Sequence, residues 1–167
     1  MGQEIERKFL VKKEKWQPEG EGVPYRQGYL STEKAHTVRV RKAGDKGFLT
    51  IKGMTEGITR LEFEYGIPVK DADLMLNTLC EGPLIEKYRH RVNYQGMVWE
   101  VDVFMGENEG LILAEVELEN ETQEIAFPEW AGPEVSADTR YYNANLAKHP
   151  FKDWRDNGNG RKGTCGP

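Results

Sequence analysis

The chain opens with Glu4-Ile5-Glu6-Arg7-Lys8, which sets two carboxylates and an ammonium at period two ahead of the apolar run Phe9-Leu10-Val11. In a β-strand, side chains two apart share a face. Glu4, Glu6 and Lys8 then stand together, while Ile5, Phe9 and Val11 point the other way with Arg7 as the exception. Two carboxylates this close repel unless a cation lies between them. A divalent ion that favours oxygen ligands, Mg²⁺ or Mn²⁺, meets that need. Taken alone, the motif also suits a solvated strand face with one salt bridge.

The same alternation recurs along the chain. Arg39 and Arg41 alternate with Val38 and Val40, and Thr50 and Lys52 with Leu49 and Ile51. Arg60, Glu62 and Glu64 alternate with Leu61, Phe63 and Tyr65, and Lys87, Arg89 and Arg91 with Tyr88, His90 and Val92. Glu100 and Asp102, then Glu115, Glu117 and Glu119, follow the same rule. Period two marks half-buried strands. The polar faces are nearly all ionic, some cationic and others anionic. Like charges two apart on one strand are unfavourable, but they become sensible if cationic and anionic strands face each other across an enclosed wet space. The predicted fold is α+β: a β-barrel with a charged interior and an apolar exterior covered by a few helices.

Composition agrees. The chain has 167 residues, 38% hydrophobic and 31% charged, as expected if charge replaces Leu and Val inside the barrel. The net charge of -5 argues against a general nucleic-acid or membrane-surface binder, while allowing a local cationic pocket. No apolar stretch approaches the roughly 20 residues of a membrane span, and the N-terminus lacks a signal-peptide core. Cys80 lies in an apolar helical pattern and Cys165 in a Gly-rich stretch, so no disulfide framework is expected and the chain reads as cytoplasmic.

The barrel domain is expected over 1–151, with strands at about 1–11, 25–31, a 37–52 hairpin, 60–67, 84–93, 97–105 and 111–121. A helix capped by Asp71 or Asp73 should run to about Leu79, with Leu74, Leu76 and Leu79 among its apolar positions. Pro128-Glu129-Trp130 and Ser136 to Ala147 read as helical, the second capped by Ser136 or Asp138. Residues 152–167, with four glycines, read as a mobile tail.

Other chemistry finds no support. His36, His90 and His149 lack ligand spacing, and there is no P-loop pattern. Trp16, Trp99, Trp130 and Trp154 read as packing residues. Cationic strands suit an extended, highly anionic ligand, with Arg giving bidentate contacts to phosphate oxygens. Carboxylates can share such a ligand only through divalent metals. The inferred ligand is a metal-complexed polyphosphate, and the reaction phosphoryl or nucleotidyl transfer.

The E-I-E-R-K-F-L-V opening resembles the E-x-E-x-K signature of the CYTH superfamily, the triphosphate tunnel metalloenzymes. Gln27-Gly28-Tyr29-Leu30, Val38-Arg39-Val40-Arg41, Leu49-Thr50-Ile51-Lys52, Arg60-Leu61-Glu62-Phe63-Glu64, Trp99-Glu100-Val101-Asp102, Ala114-Glu115-Val116-Glu117-Leu118 and Arg140-Tyr141-Tyr142-Asn143 are similar to its short bacterial branch. The resemblance covers about 1–150 and implies that the barrel is an eight-stranded antiparallel β-barrel forming a tunnel. It implies Glu4, Glu6, Asp102, Glu115 and Glu117 as ligands of two divalent ions, Mg²⁺ or Mn²⁺. It implies Lys8, Arg39, Arg41, Lys52, Arg60, Lys87 and Arg89 as triphosphate ligands, with Lys8 and Tyr29 as candidates for catalysis.

The resemblance implies hydrolysis of inorganic tripolyphosphate to pyrophosphate and phosphate. The alternatives are a class IV-type adenylyl cyclase, a nucleoside or thiamine triphosphatase, and a polyphosphate-binding module without activity. The expected partner is a small triphosphate, not nucleic acid or membrane, and a homodimer is compatible. Glu62 and Glu64 read as salt-bridge partners of neighbouring Arg and Lys, and the roles of Arg91, Glu100 and Glu119 stay open.

Overall fold

The computed structural model describes residues 2–154. The strands are β1 (Gln3–Val11), β2 (Val23–Glu33), β3 (His36–Ala43), β4 (Lys46–Lys52), β5 (Thr59–Ile67), β6 (Glu81–Tyr94), β7 (Met97–Phe104), β8 (Ile112–Glu117) and β9 (Ala131–Glu134); α1 spans Val69–Thr78 and α2 Asn143–Lys148. The antiparallel order is β5-β4-β3-β2-β6-β7-β8-β1, and a β5–β1 pairing closes eight strands into the expected barrel. The closure is shared. The N-terminal end of β1 pairs with β5 through Gln3 to Ile5, while its C-terminal end takes β9.

Three local features differ from the sequence expectation. Residues 128–130 form a turn, closed by the Ala131 N–H donating to the Pro128 carbonyl at 3.0 Å, and lead into β9. Gly132 permits this strand, because a Cβ there would lie 2.8 Å from the Leu10 carbonyl oxygen. The helix expected over 136–147 begins only at Asn143. Ser136 Oγ instead accepts from the Lys8 N–H at 2.9 Å, and Asp138 caps a 3-10 turn (Thr139–Tyr141) by accepting from the Arg140 N–H. Finally, α1 starts directly after Pro68. It buries Ala72 and Leu76 and leaves Leu74 and Leu79 exposed.

The apolar outer face is covered only in part by helix. α1 packs Ala72 and Leu76 on Val40. Around Phe9, Trp99, Val101, Val116 and Leu118 the cover comes from Trp16, Ile125 and Trp130 in connecting segments. Leu61, Phe63 and Tyr65 on β5 stay exposed. No helix among the described residues is long and apolar enough to cross a membrane.

Two features shape the interior. Tyr29, Ile85, Phe104 and Leu113, with Leu10, pack against Tyr141 and Leu146, so part of the barrel interior is apolar and filled from the C-terminal segment. In β2, a bulge between Tyr29 and Ser31 shifts the register against β3, and a bulge exchanges the two faces of the bulged strand. Before it Tyr29 lies opposite Arg39; after it Thr32 lies opposite Thr37. Residues 151–154 form a helical turn, with Trp154 against Tyr141 and Phe151; the rest of the predicted mobile tail lies outside the described residues.

Candidate active site

The barrel encloses a cavity of about 620 Å³. Of the residues singled out in the sequence, Glu4, Glu6, Lys8, Tyr29, Arg39, Arg41, Lys52, Arg60, Arg89, Glu115 and Glu117 line it, with Glu62, Glu64 and Glu100 beside them. Strand register explains the grouping. Lys8 lies directly opposite Glu115, Glu6 opposite Glu117, and Glu4 opposite Arg60. On the other side of the barrel, Tyr29, Arg39, Thr50 and Glu64 are register partners across four strands.

Four cations are already matched by carboxylates. Lys8 Nζ lies 3.4 Å from Glu115, and Lys52 Nζ lies 3.2 Å from Glu4 and 3.3 Å from Glu62. Arg89 holds Asp102 at 2.7 Å, Glu115 at 3.1 Å and Glu100 at 3.2 Å. Lys87 holds Asp102 at 2.8 Å. The pKa values follow. Burial pushes the Glu115 carboxyl up, but Lys8, Arg89 and Lys87 outweigh it and hold it well below the usual range. Burial likewise opposes Asp102, and Arg89 and Lys87 again pull it down. At Lys87 burial wins: despite Asp102, and with Arg89 and Arg41 nearby, its pKa falls to about 7.

Lys87 and Asp102 are not among the residues lining the cavity. Lys87 is 1% exposed and Asp102 2%. The oxygens of Asp102 are taken by Arg89 Nε, Arg89 NH2 and Lys87 Nζ, and Lys87 also donates to Asn143 Oδ1 at 3.2 Å. Asp102 therefore positions Arg89, which does reach the cavity, instead of offering a free carboxylate to it.

Three cations remain differently placed. Among the described residues Arg41 and Arg60 have no carboxylate within ion-pair distance. Arg41 Nε donates to the neutral Gln27 Oε1 at 3.0 Å, and Arg60 Nε to the Gly53 carbonyl at 3.1 Å. Arg39 reaches Glu64 only at 3.5 Å, and its buried Nε has no hydrogen-bond partner among the described residues. Burial, then Arg39 and Arg89, lower the Arg41 pKa to about 10, which still leaves it charged at neutral pH. Two carboxylates are the mirror case: Glu6 and Glu117 make no side-chain hydrogen bond or ion pair among the described residues. Burial, then Glu115 and Glu4, raise Glu6 well above the usual range; burial, then Glu4 and Glu62, raise Glu117.

This donor set fits an oxygen-seeking divalent cation. Two opposed carboxylates lack a positive partner, and two more, Glu4 and Glu115, stand beside them on the same strands. Among the described residues no three acidic, His or Cys side chains converge as they stand; Lys52 occupies Glu4, and Lys8 with Arg89 occupies Glu115.

Sequence reasoning passed over several contributors. Gln27 and Thr50 are fully buried. Thr50 Oγ1 donates to Glu64 Oε2 at 3.0 Å and accepts from Arg39 at 3.2 Å, tying β3 to β5. Tyr25, Thr32 and Lys34 line the cavity. Tyr25 and Gln27 share the parity of Tyr29, a usable signal; Thr32 faces in because of the bulge, and Lys34 reaches the cavity from the turn between β2 and β3.

The CYTH domain pattern matches residues 2–149. The chain is 50% identical to an inorganic triphosphatase of Acetivibrio thermocellus over 93% of this chain and 100% of that one. It is 42% identical to an inorganic triphosphatase of Nitrosomonas europaea over 86% and 96%. A crystal structure of an inorganic triphosphatase superposes with a TM-score of 0.62 at 38% identity, covering 86% of this chain and 96% of that one. A charged eight-stranded tunnel, the ordered ionic motifs and these similarities lead to one assignment: the chain belongs to the CYTH domain family.

Proposed function

We propose that the protein hydrolyses inorganic tripolyphosphate to pyrophosphate and phosphate inside the barrel, with Mg²⁺ or Mn²⁺ as cofactor. One observation carries this reading: among the described residues Arg41 and Arg60 present cationic donors without a carboxylate partner and Arg39 a buried Nε without a hydrogen-bond partner, while Glu6 and Glu117 present carboxylates without a cation. A site with both surpluses suits an anion that arrives together with a metal. The activity carried by its two relatives supports the same substrate.

Each residue then has a role. Arg39, Arg41 and Arg60 bind phosphoryl oxygens, and the unpartnered Arg39 Nε supplies a donor for one of them. Glu6 and Glu117, with Glu4 and Glu115, would hold two divalent ions, which supply charge neutralisation of the phosphates and activation of water. Asp102 and Lys87 act from the filled end of the interior, beside Phe104 and Leu113, by fixing Arg89. Lys8, beside Glu115, neutralises charge that develops as the bridging oxygen leaves. Burial lowers its pKa, but Glu115 and Glu6 more than restore it, so it acts as a cation. Tyr29, whose hydroxyl accepts from Gln27 Nε2 at 3.5 Å, would donate its own proton in a hydrogen bond to water or phosphate. The oxygen of water bonds to the terminal phosphorus, the bridging P–O bond breaks, pyrophosphate leaves with the electron pair, and the proton passes to solvent.

The test is phosphate release from tripolyphosphate, ATP and thiamine triphosphate side by side, with and without Mg²⁺ or Mn²⁺. Metal-dependent release with tripolyphosphate preferred supports the reading. Preference for ATP or thiamine triphosphate, cyclic AMP from ATP, or binding without turnover overturns it.

A further inference from the structure

Arg41 and Arg89 stand on different strands, β3 and β6, yet share one aromatic neighbour. The Tyr25 ring centroid lies 4.9 Å from the Arg41 guanidinium carbon, 4.8 Å from that of Arg89 and 6.0 Å from Lys87 Nζ. Tyr25 is on β2, the strand between them, with Ala43 and Lys87 as its register partners. The two guanidiniums repel each other, and Arg89 is among the groups that lower the Arg41 pKa. Arg89 is compensated by three carboxylates. Among the described residues Arg41 has no carboxylate within ion-pair distance and contacts the Gln27 oxygen and this ring. An aromatic face attracts cations through its quadrupole and, unlike a carboxylate, does not cancel their charge toward an anion. The Tyr25 hydroxyl makes no hydrogen bond among the described residues, so the ring is the working part.

We infer that Tyr25 is a positioning residue of the anion site: its ring holds Arg41 and Arg89 together as one clamp that receives the phosphate chain. The inference rests on the proposed tripolyphosphate reading and adds to it the group that arranges its cations. A carboxylate at this point would draw Arg41 away from the ligand. An aliphatic side chain would leave the two guanidiniums to repel each other and spread.

The experiment uses the full chain and tripolyphosphate as probe. Affinity is measured by calorimetry without divalent ions, and KM and kcat by phosphate release with Mg²⁺. Tyr25→Leu should raise Kd and KM about tenfold, or about 1.4 kcal/mol, while kcat stays within about threefold. Tyr25→Phe should restore the affinity lost in Tyr25→Leu, which a purely hydroxyl-based role cannot do. If Tyr25→Leu melts below the assay temperature, Tyr25→Met carries the same comparison, being apolar without a ring. Affinity within about twofold of the parent in the ringless variants, or an equal loss in Tyr25→Phe, overturns the inference and leaves the functional reading intact. A parent protein that neither binds nor hydrolyses tripolyphosphate overturns the functional reading itself, and the clamp with it.

Discussion

Replacing Glu6 by glutamine removes a carboxylate whose pKa is raised by burial and then by Glu115 and Glu4, with Glu117 as its register partner across β1 and β8. Diagonal neighbours on one face lie about 7 Å apart. At an effective dielectric of about 20, two full charges at that distance repel by about 2 kcal/mol. Lys52 beside Glu4, and Lys8 and Arg89 beside Glu115, offset part of the repulsion, so with burial included about 1–2 kcal/mol survives. A domain of this size gains about 2–4 °C per kcal/mol. The metal-free Glu6→Gln protein should therefore melt about 2–8 °C above the parent near pH 7.5 by calorimetry, while losing nearly all activity. The sign with pH is fixed. Glu6 titrates higher in the folded chain than its unfolded value of about 4.3, so its charge costs the folded state stability as pH rises. The advantage of the variant should vanish below about pH 4 and open between the unfolded and folded pKa values. Saturating Mg²⁺ should stabilise the parent more than the variant. A lower melting temperature for metal-free Glu6→Gln, or equal Mg²⁺ stabilisation of both, would refute the assignment of Glu6 as an uncompensated carboxylate.

Asp102→Asn should behave in the opposite way, losing about 3–5 kcal/mol in denaturant titration because it strands buried Lys87 and Arg89. The Asp102 carboxyl titrates low, so its contribution should persist to acid pH and fade only as pH falls through the lowered value. Arg39→Ala/Arg41→Ala should raise Kd and KM for tripolyphosphate by at least about a hundredfold, at about 1.5–3 kcal/mol per lost charged hydrogen bond; unchanged titration heats would remove these arginines from the ligand. Lys8→Met should lower kcat far more than it raises KM, and Tyr29→Phe should lower kcat about tenfold. An unchanged kcat in Tyr29→Phe would return Tyr29, which is 3% exposed and packed against Ile85 and Phe104, to the apolar part of the interior.

The barrel was legible because its strands place charge on one parity and Val, Leu and aromatic residues on the other. Parity says which face a side chain takes but not how deep along the barrel it sits. Asp102 and Lys87 share parity with Arg89, yet their register partners Leu113 and Phe104 belong to the apolar cluster that fills one end of the interior, which buries them below the cavity. The bulge in β2 cannot be read from alternation, and it brings Thr32 to the cavity. β9 escaped because Ala131-Gly132-Pro133-Glu134 has poor strand propensity; its place depends on the close approach of Gly132 to Leu10. The C-terminal helix was overdrawn because Ser136 and Asp138 have the chemistry of helix caps but are used on β1 and on a 3-10 turn.

The pairing of surplus arginines with surplus carboxylates requires that tripolyphosphate turnover and the divalent ion depend on each other. Following tripolyphosphate by ³¹P NMR with parent protein and Glu117→Gln, each with and without Mg²⁺ or Mn²⁺, tests this directly. The expected result is conversion to equimolar pyrophosphate and phosphate by the parent only with the ion, and almost none by Glu117→Gln. Turnover of tripolyphosphate by the parent after complete removal of divalent ions, or undiminished turnover by Glu117→Gln, would contradict it.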